Sequence, residues 1–332
     1  MSTAAIDAAI PSQSDFEAAA ARIAPYLIET PTVAWPGREL FTRIDPATDV
    51  VIKLEMLQRG GSFKPRGALN VALNLSEDER RRGFTCVSAG NHAIAVALAA
   101  HLLGTQAKVV MAKSANPFRV AAARSYGAEV IIAGSIDEAF QKVEEIRITE
   151  SKTFIHPFEG KNTFAGAGTL GLELLRQARS LDAVIVPVGG GGLIAGVAAA
   201  VKTYAPATKV YGVEPEGARG MTDSLAAGKA LPKVEFKTIA DSLAPPMHLP
   251  LSYGLVERFV DGVVTVSDDD MCRCMALMLR DLKLAVEPAP AAGVAALIGP
   301  LRETLQGQRV GLVGCGANID PATFARLLER AA

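Results

Sequence analysis

The segment DAVIVPVGGGGLIAGVAAAV constrains this chain more than any other. An apolar run, Ala183–Pro187, leads into Gly189-Gly190-Gly191-Gly192, and a second apolar run with small residues follows. The first run is short and β-branched at its centre, Val184-Ile185-Val186, as a strand buried on both faces should be. A buried strand turning tightly into a buried helix is the repeating unit of a parallel sheet covered by helices. A merely flexible turn has no reason to sit between two apolar elements.

The same alternation recurs along the chain. Strand candidates are Val50–Glu55, Thr85–Ser88, Lys108–Met111, Glu129–Ile132, Thr153–Ile155, Val210–Val213, Val263–Val266 and Val310–Val313. Helical patterns lie between them, such as Phe118–Tyr126, Glu138–Thr149 and Met271–Lys283. Ser14 and Glu17 have capping-box spacing ahead of an Ala-rich helix. Ser267 precedes three acids that suit a helix N-terminus, and Asp320–Ala332 reads as a last helix. No long linker divides the chain, so the pattern predicts an α/β protein with one large sheet or two domains on short crossovers.

Composition narrows the class. With 34 Lys+Arg against 35 Asp+Glu, the net charge is −1, unlike the basic surface of a nucleic-acid binder. Arg80-Arg81-Arg82 reads as a solvated helix end. Four scattered cysteines fit a reducing cytosol rather than a disulfide framework. The N-terminus lacks the positive region of a signal peptide, and no apolar run approaches the ~20 residues of a membrane span. Cys272 and Cys274 have no His or Cys neighbours that would complete a metal site.

Four segments carry chemistry. In GGSFKPRGA, Lys64 sits at a helix start, where the helix dipole disfavours a cation and eases deprotonation, as a lysine nucleophile needs. In VSAGNHA, residues 87–93, a strand ends in a turn whose backbone N–H groups would hold a carboxylate; Asn91 and His92 would equally serve as helix-start polar residues. Gly189–Gly192 would wrap a phosphate at a helix N-terminus, without the lysine of a nucleotide-binding P-loop or the spacing of a dinucleotide fingerprint. In VGLVGCGAN, Cys315 follows a strand as nucleophile, hydrogen-bonding group or packed small residue. Each segment is expected near the carboxyl end of a strand, where open α/β sheets bind ligands. An aldehyde-reactive lysine, a carboxylate turn, a phosphate cup and a polar strand end together suit pyridoxal phosphate.

Those motifs, with PFRVAAARSYGAEVI, HPFEG, AGAGTLGLELL, GVEPEGA and AVEPAPAAGVAAL in the same order, resemble the fold-type II pyridoxal-phosphate enzymes of the threonine/serine dehydratase and serine racemase group. The resemblance implies a tryptophan synthase β-subunit-like fold of two three-layer α/β domains with parallel-rich sheets. Residues 1–75 with 160–332 would form the large cofactor domain, and 76–159 a small inserted one. It implies pyridoxal 5'-phosphate as cofactor, Lys64 as its Schiff-base lysine, and Phe63 stacked on its ring. Asn91 would meet the ring's 3-oxygen, Gly189–Gly192 with Leu193 the phosphate, and Cys315 the ring nitrogen, with Glu287 nearby. Ser88, Ala89, Gly90, Asn91 and His92 would bind the substrate carboxylate, and Ser62 would assist proton handling.

The implied reaction is β-elimination from a β-hydroxy amino acid such as L-threonine or L-serine, giving a 2-oxo acid and ammonia. The alternatives are a β-replacement synthase and a catalytically silent cofactor binder. Ala89 replaces the serine of the racemases, which predicts weak racemisation. Glu214 is present at the family's cation site, but Gly220 stands at the Asp position, so no metal is expected. Asp241-Ser242 and the stretch LAPPMHLPLSYG depart from the family and point to a bulkier or more polar substrate of the 3-phenylserine or hydroxyaspartate type. A cytoplasmic homodimer is expected, without a C-terminal regulatory domain.

Overall fold

In the computed structural model, residues 3–331 are described; Met1, Ser2 and Ala332 lie outside them, as do the ends of the expected terminal segments that include these residues. Ten strands form two separate sheets. The larger sheet runs β1 (Thr32–Ala34), β2 (Asp49–Leu54), β10 (Arg309–Gly314), β7 (Ala183–Pro187), β8 (Lys209–Pro215), β9 (Gly262–Val266). The smaller runs β5 (Glu129–Ala133), β4 (Ala107–Ala112), β3 (Phe84–Val87), β6 (Thr153–Phe154). Every pairing is parallel except that of β1, an antiparallel edge. Only three residues long and flanked by prolines, β1 gives no periodic signal, and sequence reading misses it.

The central strands β10 and β7 are buried nearly along their length because helices cover both faces of a parallel sheet. Their β-branched side chains form one core with the helix Pro288–Ile298, while β3, β4 and the helix Asn91–Leu102 enclose a second. The cores are built mostly of Ala, Val, Leu and Ile, which matches the aromatic content of 5%. Small residues allow close helix contact. The helix Lys161–Ala178 lies on the helix Gly192–Tyr204 so tightly that a methyl group on Gly196 would lie 2.4 Å from the carbonyl oxygen of Phe164.

Helix starts follow local chemistry. The expected box at Ser14 and Glu17 is displaced: Ser12 caps the helix Gln13–Ile23, and Asp15 returns the hydrogen bond. Asp15 is the shorter acid and already sits at the third helical position after Ser12, so the box closes two residues earlier. Ser267 caps the helix Asp268–Leu282 with Asp270, as its sequence predicts. No described helix is long and apolar enough to cross a membrane.

The helix–helix contact yields a stability prediction. Gly196→Ala should cost about 1–3 kcal/mol through overpacking. Gly293→Ala, where the nearest atom to an added methyl is 4.0 Å away, should be neutral or stabilising through helix propensity. Thermal unfolding of both variants decides this; equal midpoints for the two would contradict the packing argument.

Candidate active site

The site forms where β2, β10 and β7 end side by side. The strand-end rule holds directly for the tetraglycine after β7 and for Cys315 after β10. Lys64 is more distant, beyond the connection 55–63 that follows β2. That connection is held by its own contacts. Ser62 bridges Gly316 in antiparallel fashion, the Phe63 N–H donates to the Cys315 carbonyl at 3.0 Å, and the Ala317 N–H donates to the Gly61 carbonyl at 2.9 Å. Two residues after the lysine, buried Arg66 forks onto Glu55 at 2.7 and 2.8 Å and onto Glu173 at 2.7 Å. Lys64 thus begins the helix Lys64–Leu73 from an anchored position.

Lys64 Nζ donates to the Pro157 carbonyl at 2.6 Å and lies 5.1 Å from the centre of the Phe63 ring. Burial pushes its pKa down to about 8, against the opposing pull of Cys315 and Glu287. Exclusion of water thus adds to the easier deprotonation expected at a helix start. A narrow cavity beside Lys64 is lined by Phe63, His92, His156, Pro157 and Gly192. A roomier groove of about 890 Å³ along Ala20, Leu27, Leu172 and Glu173 contains none of the expected site residues.

The tetraglycine is a cradle that side chains would fill. A methyl group on Gly190 would lie 2.3 Å from the Phe158 ring, and one on Gly192 would lie 2.7 Å from Phe158 Cα. Gly191 has φ +93°, a left-handed conformation that disfavours other residues. Leu193 is buried in the helix that starts at Gly192, so an anion in the cradle would face that helix's N-terminus. Ser62 Oγ is buried without a hydrogen-bond partner among the described residues. Cys315 is buried too, and burial, reinforced by Glu287, raises its thiol pKa well above the ordinary value. The orphaned hydroxyl, the neutral thiol, the deprotonable amine and the glycine cradle fit an aldehyde-phosphate.

The turn expected to bind a carboxylate follows β3 of the smaller sheet. Ser88 Oγ accepts from the Gly90 N–H at 3.1 Å, Ala89 is exposed, and Asn91 and His92 begin the helix Asn91–Leu102. Asn91 Nδ2 donates to Glu287 Oε1 at 2.7 Å, and its Oδ1 accepts from Asn318 Nδ2 at 2.8 Å. One N–H of its amide remains for a ligand oxygen. Ser242 Oγ donates to Glu287 Oε1 at 3.3 Å, and its carbonyl would lie 3.1 Å from a methyl group on Gly189. Ser242 therefore belongs to the site, between the cradle and Glu287.

Sequence reading missed Arg119. It lies on the helix Pro117–Ser125, next to the smaller sheet, and is buried. Its Nε donates to the Asn318 carbonyl at 3.0 Å, one terminal nitrogen to Asp241 at 2.6 Å, and the other to Glu287 at 3.2 Å. Burial raises the Glu287 carboxyl pKa, and Arg119 opposes that rise. The available signal was an arginine at the start of the apolar, Ala-rich run in PFRVAAARSYG. His156 and Phe158, in HPFEG, were likewise given no role.

Glu214 is occupied elsewhere. It accepts from the N–H groups of Met221 and Thr222 at 2.8 Å each, and burial raises its pKa to about 7. His248 Nε2 would lie 2.6 Å from a methyl group on Gly220, so an imidazole fills the space beside that glycine. Among the described residues no group of three or more His, Cys, Asp or Glu is placed to hold a metal.

Comparison with known proteins agrees with the geometry. The family described as "Pyridoxal-phosphate dependent enzyme" matches residues 23–316. Phenylserine dehydratase of Ralstonia pickettii is 53% identical over 85% of this chain and 87% of its own. L-threonine ammonia-lyase of Thermotoga maritima is 40% identical over 85% of this chain and 70% of its own. The processed threonine deaminase isoform 2 of Solanum lycopersicum superposes with a TM-score of 0.90 at 32% identity, covering 100% of this chain and 95% of that one.

The Arg119 contacts predict a pH signature. Removing the charge in Arg119→Gln leaves Glu287 buried without its cation, so its folded pKa rises further above the unfolded ~4.3. A carboxyl raised in the folded state loses stability as pH climbs above its unfolded value. The variant's deficit in unfolding midpoint should therefore grow from pH 5 to pH 8. A deficit independent of pH would contradict the pairing.

Proposed function

The chain belongs to the pyridoxal-phosphate dependent enzymes, and from that premise we propose that it is an ammonia-lyase for β-hydroxy amino acids with a bulky, aromatic β-substituent. The reaction converts R–CH(OH)–CH(NH3+)–COO− into R–CH2–CO–COO− and ammonium. The observation that carries the substrate class is the 53% identity to phenylserine dehydratase, against 40% to L-threonine ammonia-lyase, at the same coverage of this chain. Ser242 beside the cradle and the proline-rich stretch behind it support a pocket reshaped for such a side chain.

Bound between Phe63 and the cradle, pyridoxal phosphate supplies an aldehyde for the substrate amine and a ring that accepts the electron pair left on Cα. The protein's residues do the rest. Gly189–Gly192 hold the phosphate through backbone N–H groups and the helix N-terminus behind them. Asn91 would hold the ring oxygen, and Phe63 would pack against the ring. The turn Ser88–His92 fixes the substrate carboxylate, which aligns the Cα–H bond. Lys64 Nζ, neutral near its lowered pKa, takes the Cα proton. Ser62 Oγ, otherwise unpartnered, donates its hydrogen bond to the bound group. Cys315 stays a neutral thiol, unable to hold the ring nitrogen protonated as a carboxylate would. A ring left unprotonated would draw less electron density from Cα, which would favour elimination of the β-hydroxyl.

The same reading includes residues 76–159 as a small inserted domain and 1–75 with 160–332 as the large one. It also includes a homodimer in a reducing, cytoplasmic compartment. Four buried, unpaired cysteines support that compartment.

A panel of β-hydroxy amino acids, with both β-epimers of each, tests the function. The account expects 2-oxo acid and ammonia from 3-phenylserine at a kcat/KM at least about tenfold above threonine or serine. Lys64→Ala should abolish turnover, by a factor above about 10³ for loss of the proton acceptor. Turnover that needs an added nucleophile would indicate β-replacement instead. Cofactor binding without turnover of any panel member would overturn the proposal.

A further inference from the structure

Two imidazole side chains lie beside Lys64 with no task in the reaction above, where His92 serves only through the backbone of its turn. His156 Nδ1 accepts from the backbone N–H of Phe158 at 3.2 Å and of Glu159 at 3.1 Å. A nitrogen that accepts twice carries no hydrogen, so the neutral ring bears its hydrogen on Nε2. Edge contacts to Phe154 and Phe158, with centroids 5.6 and 4.7 Å away, hold the ring plane. His92 is the reverse. Its Nε2 donates to the Ile155 carbonyl at 2.8 Å, leaving Nδ1 as an acceptor. Burial pushes His156 down to about 4 and His92 to about 3, and Lys64 lowers both further. Both rings are therefore neutral at any working pH, one showing an N–H and the other a lone pair, and both line the cavity beside Lys64.

We propose that this pair recognises the substrate's β-hydroxyl: His156 Nε2–H donates to the β-oxygen, and His92 Nδ1 accepts from the hydroxyl hydrogen. A hydroxyl offers one donor and two acceptor sites and satisfies both rings at once. The inference rests on the β-hydroxy amino acid reading above and adds its means of selection. Neither ring exchanges a proton. Their work is to orient the C–O bond and to penalise an analogue without the hydroxyl, which would leave a buried donor and acceptor unpaired.

The test uses the holoenzyme and two variants. His156→Asn keeps an acceptor for the Phe158 and Glu159 N–H groups but withdraws the donor at the Nε2 position. His156→Gln returns a donor there. The substrates are 3-phenylserine and 3-chloroalanine, whose chloride leaves without needing the pair. Phenylalanine serves as a competitive ligand without the hydroxyl. The inference expects kcat/KM for 3-phenylserine to fall at least about tenfold in the Asn variant. Turnover of 3-chloroalanine and the inhibition constant of phenylalanine should stay within about threefold. The Gln variant should recover part of the loss. A parallel fall on both substrates, a weakened phenylalanine constant, or no change on 3-phenylserine would overturn the inference. Wild-type turnover of 3-chloroalanine with no β-hydroxy amino acid accepted would overturn the function proposed above instead. An Asn variant that loses its cofactor absorbance defers to the Gln variant, whose failure to exceed a His156→Phe control would equally overturn the inference.

Discussion

A buried guanidinium ties the two halves of the site together. Arg119 reaches from a helix beside the smaller sheet to Asp241, Glu287 and the Asn318 carbonyl, all on segments of the larger one. Breaking a buried ion pair by removing one partner costs about 3–5 kcal/mol, because the remaining charge stays in a medium that does not solvate it. Here the remaining charge would be Glu287, which also holds Asn91 and Ser242. Asn91, with its turn, and Ser242 beside the glycine cradle are thus positioned through one carboxylate, and that carboxylate by one arginine. Asn116 adds a second tie of the same kind, donating to Asp320 at 2.9 Å.

The remaining chemistry depends on excluding water. Burial makes Lys64 a weaker base, keeps His92 and His156 neutral and keeps Cys315 protonated. One cause therefore sets four protonation states within the site. The lysine is left near the middle of its titration at neutral to mildly alkaline pH, where a group that takes and returns a proton works best. The thiol and the imidazoles are left as fixed donors and acceptors. The glycines serve a different end: at Gly190 and Gly192 any side chain would occupy the space of Phe158, so the cradle stays open to an anion.

The parallel architecture was legible because it rests on local patterns. Ala183–Pro187 is the same run in sequence and structure, and the other nominated strands shift by a residue or two at their ends. The site's glycines, Lys64 and Cys315 were legible because their residue types are costly or unusual where they stand. Strand β1 was not, since three residues carry no period. Arg119 was not, since its meaning lies in partners at positions 241, 287 and 318, which only the packing of the two sheets brings within reach. The roles of His92 and His156 were hidden for a related reason. A sequence names an imidazole but not its tautomer, which here depends on backbone groups at 155, 158 and 159. The capping box near residue 14 shows the reverse limit: two overlapping local patterns, of which the shorter acid closes the turn.

The central claim is that Lys64 is the amine to which the cofactor is bound, within a cradle built by Gly189–Gly192. Borohydride reduction of the holoenzyme fixes pyridoxal phosphate permanently to the amine that carries it, and peptide mass spectrometry then locates the modified residue. The account predicts the added mass on the peptide that contains Lys64 and on no other lysine peptide. Modification of a different lysine, or a holoenzyme that yields no modified peptide after reduction, would contradict it.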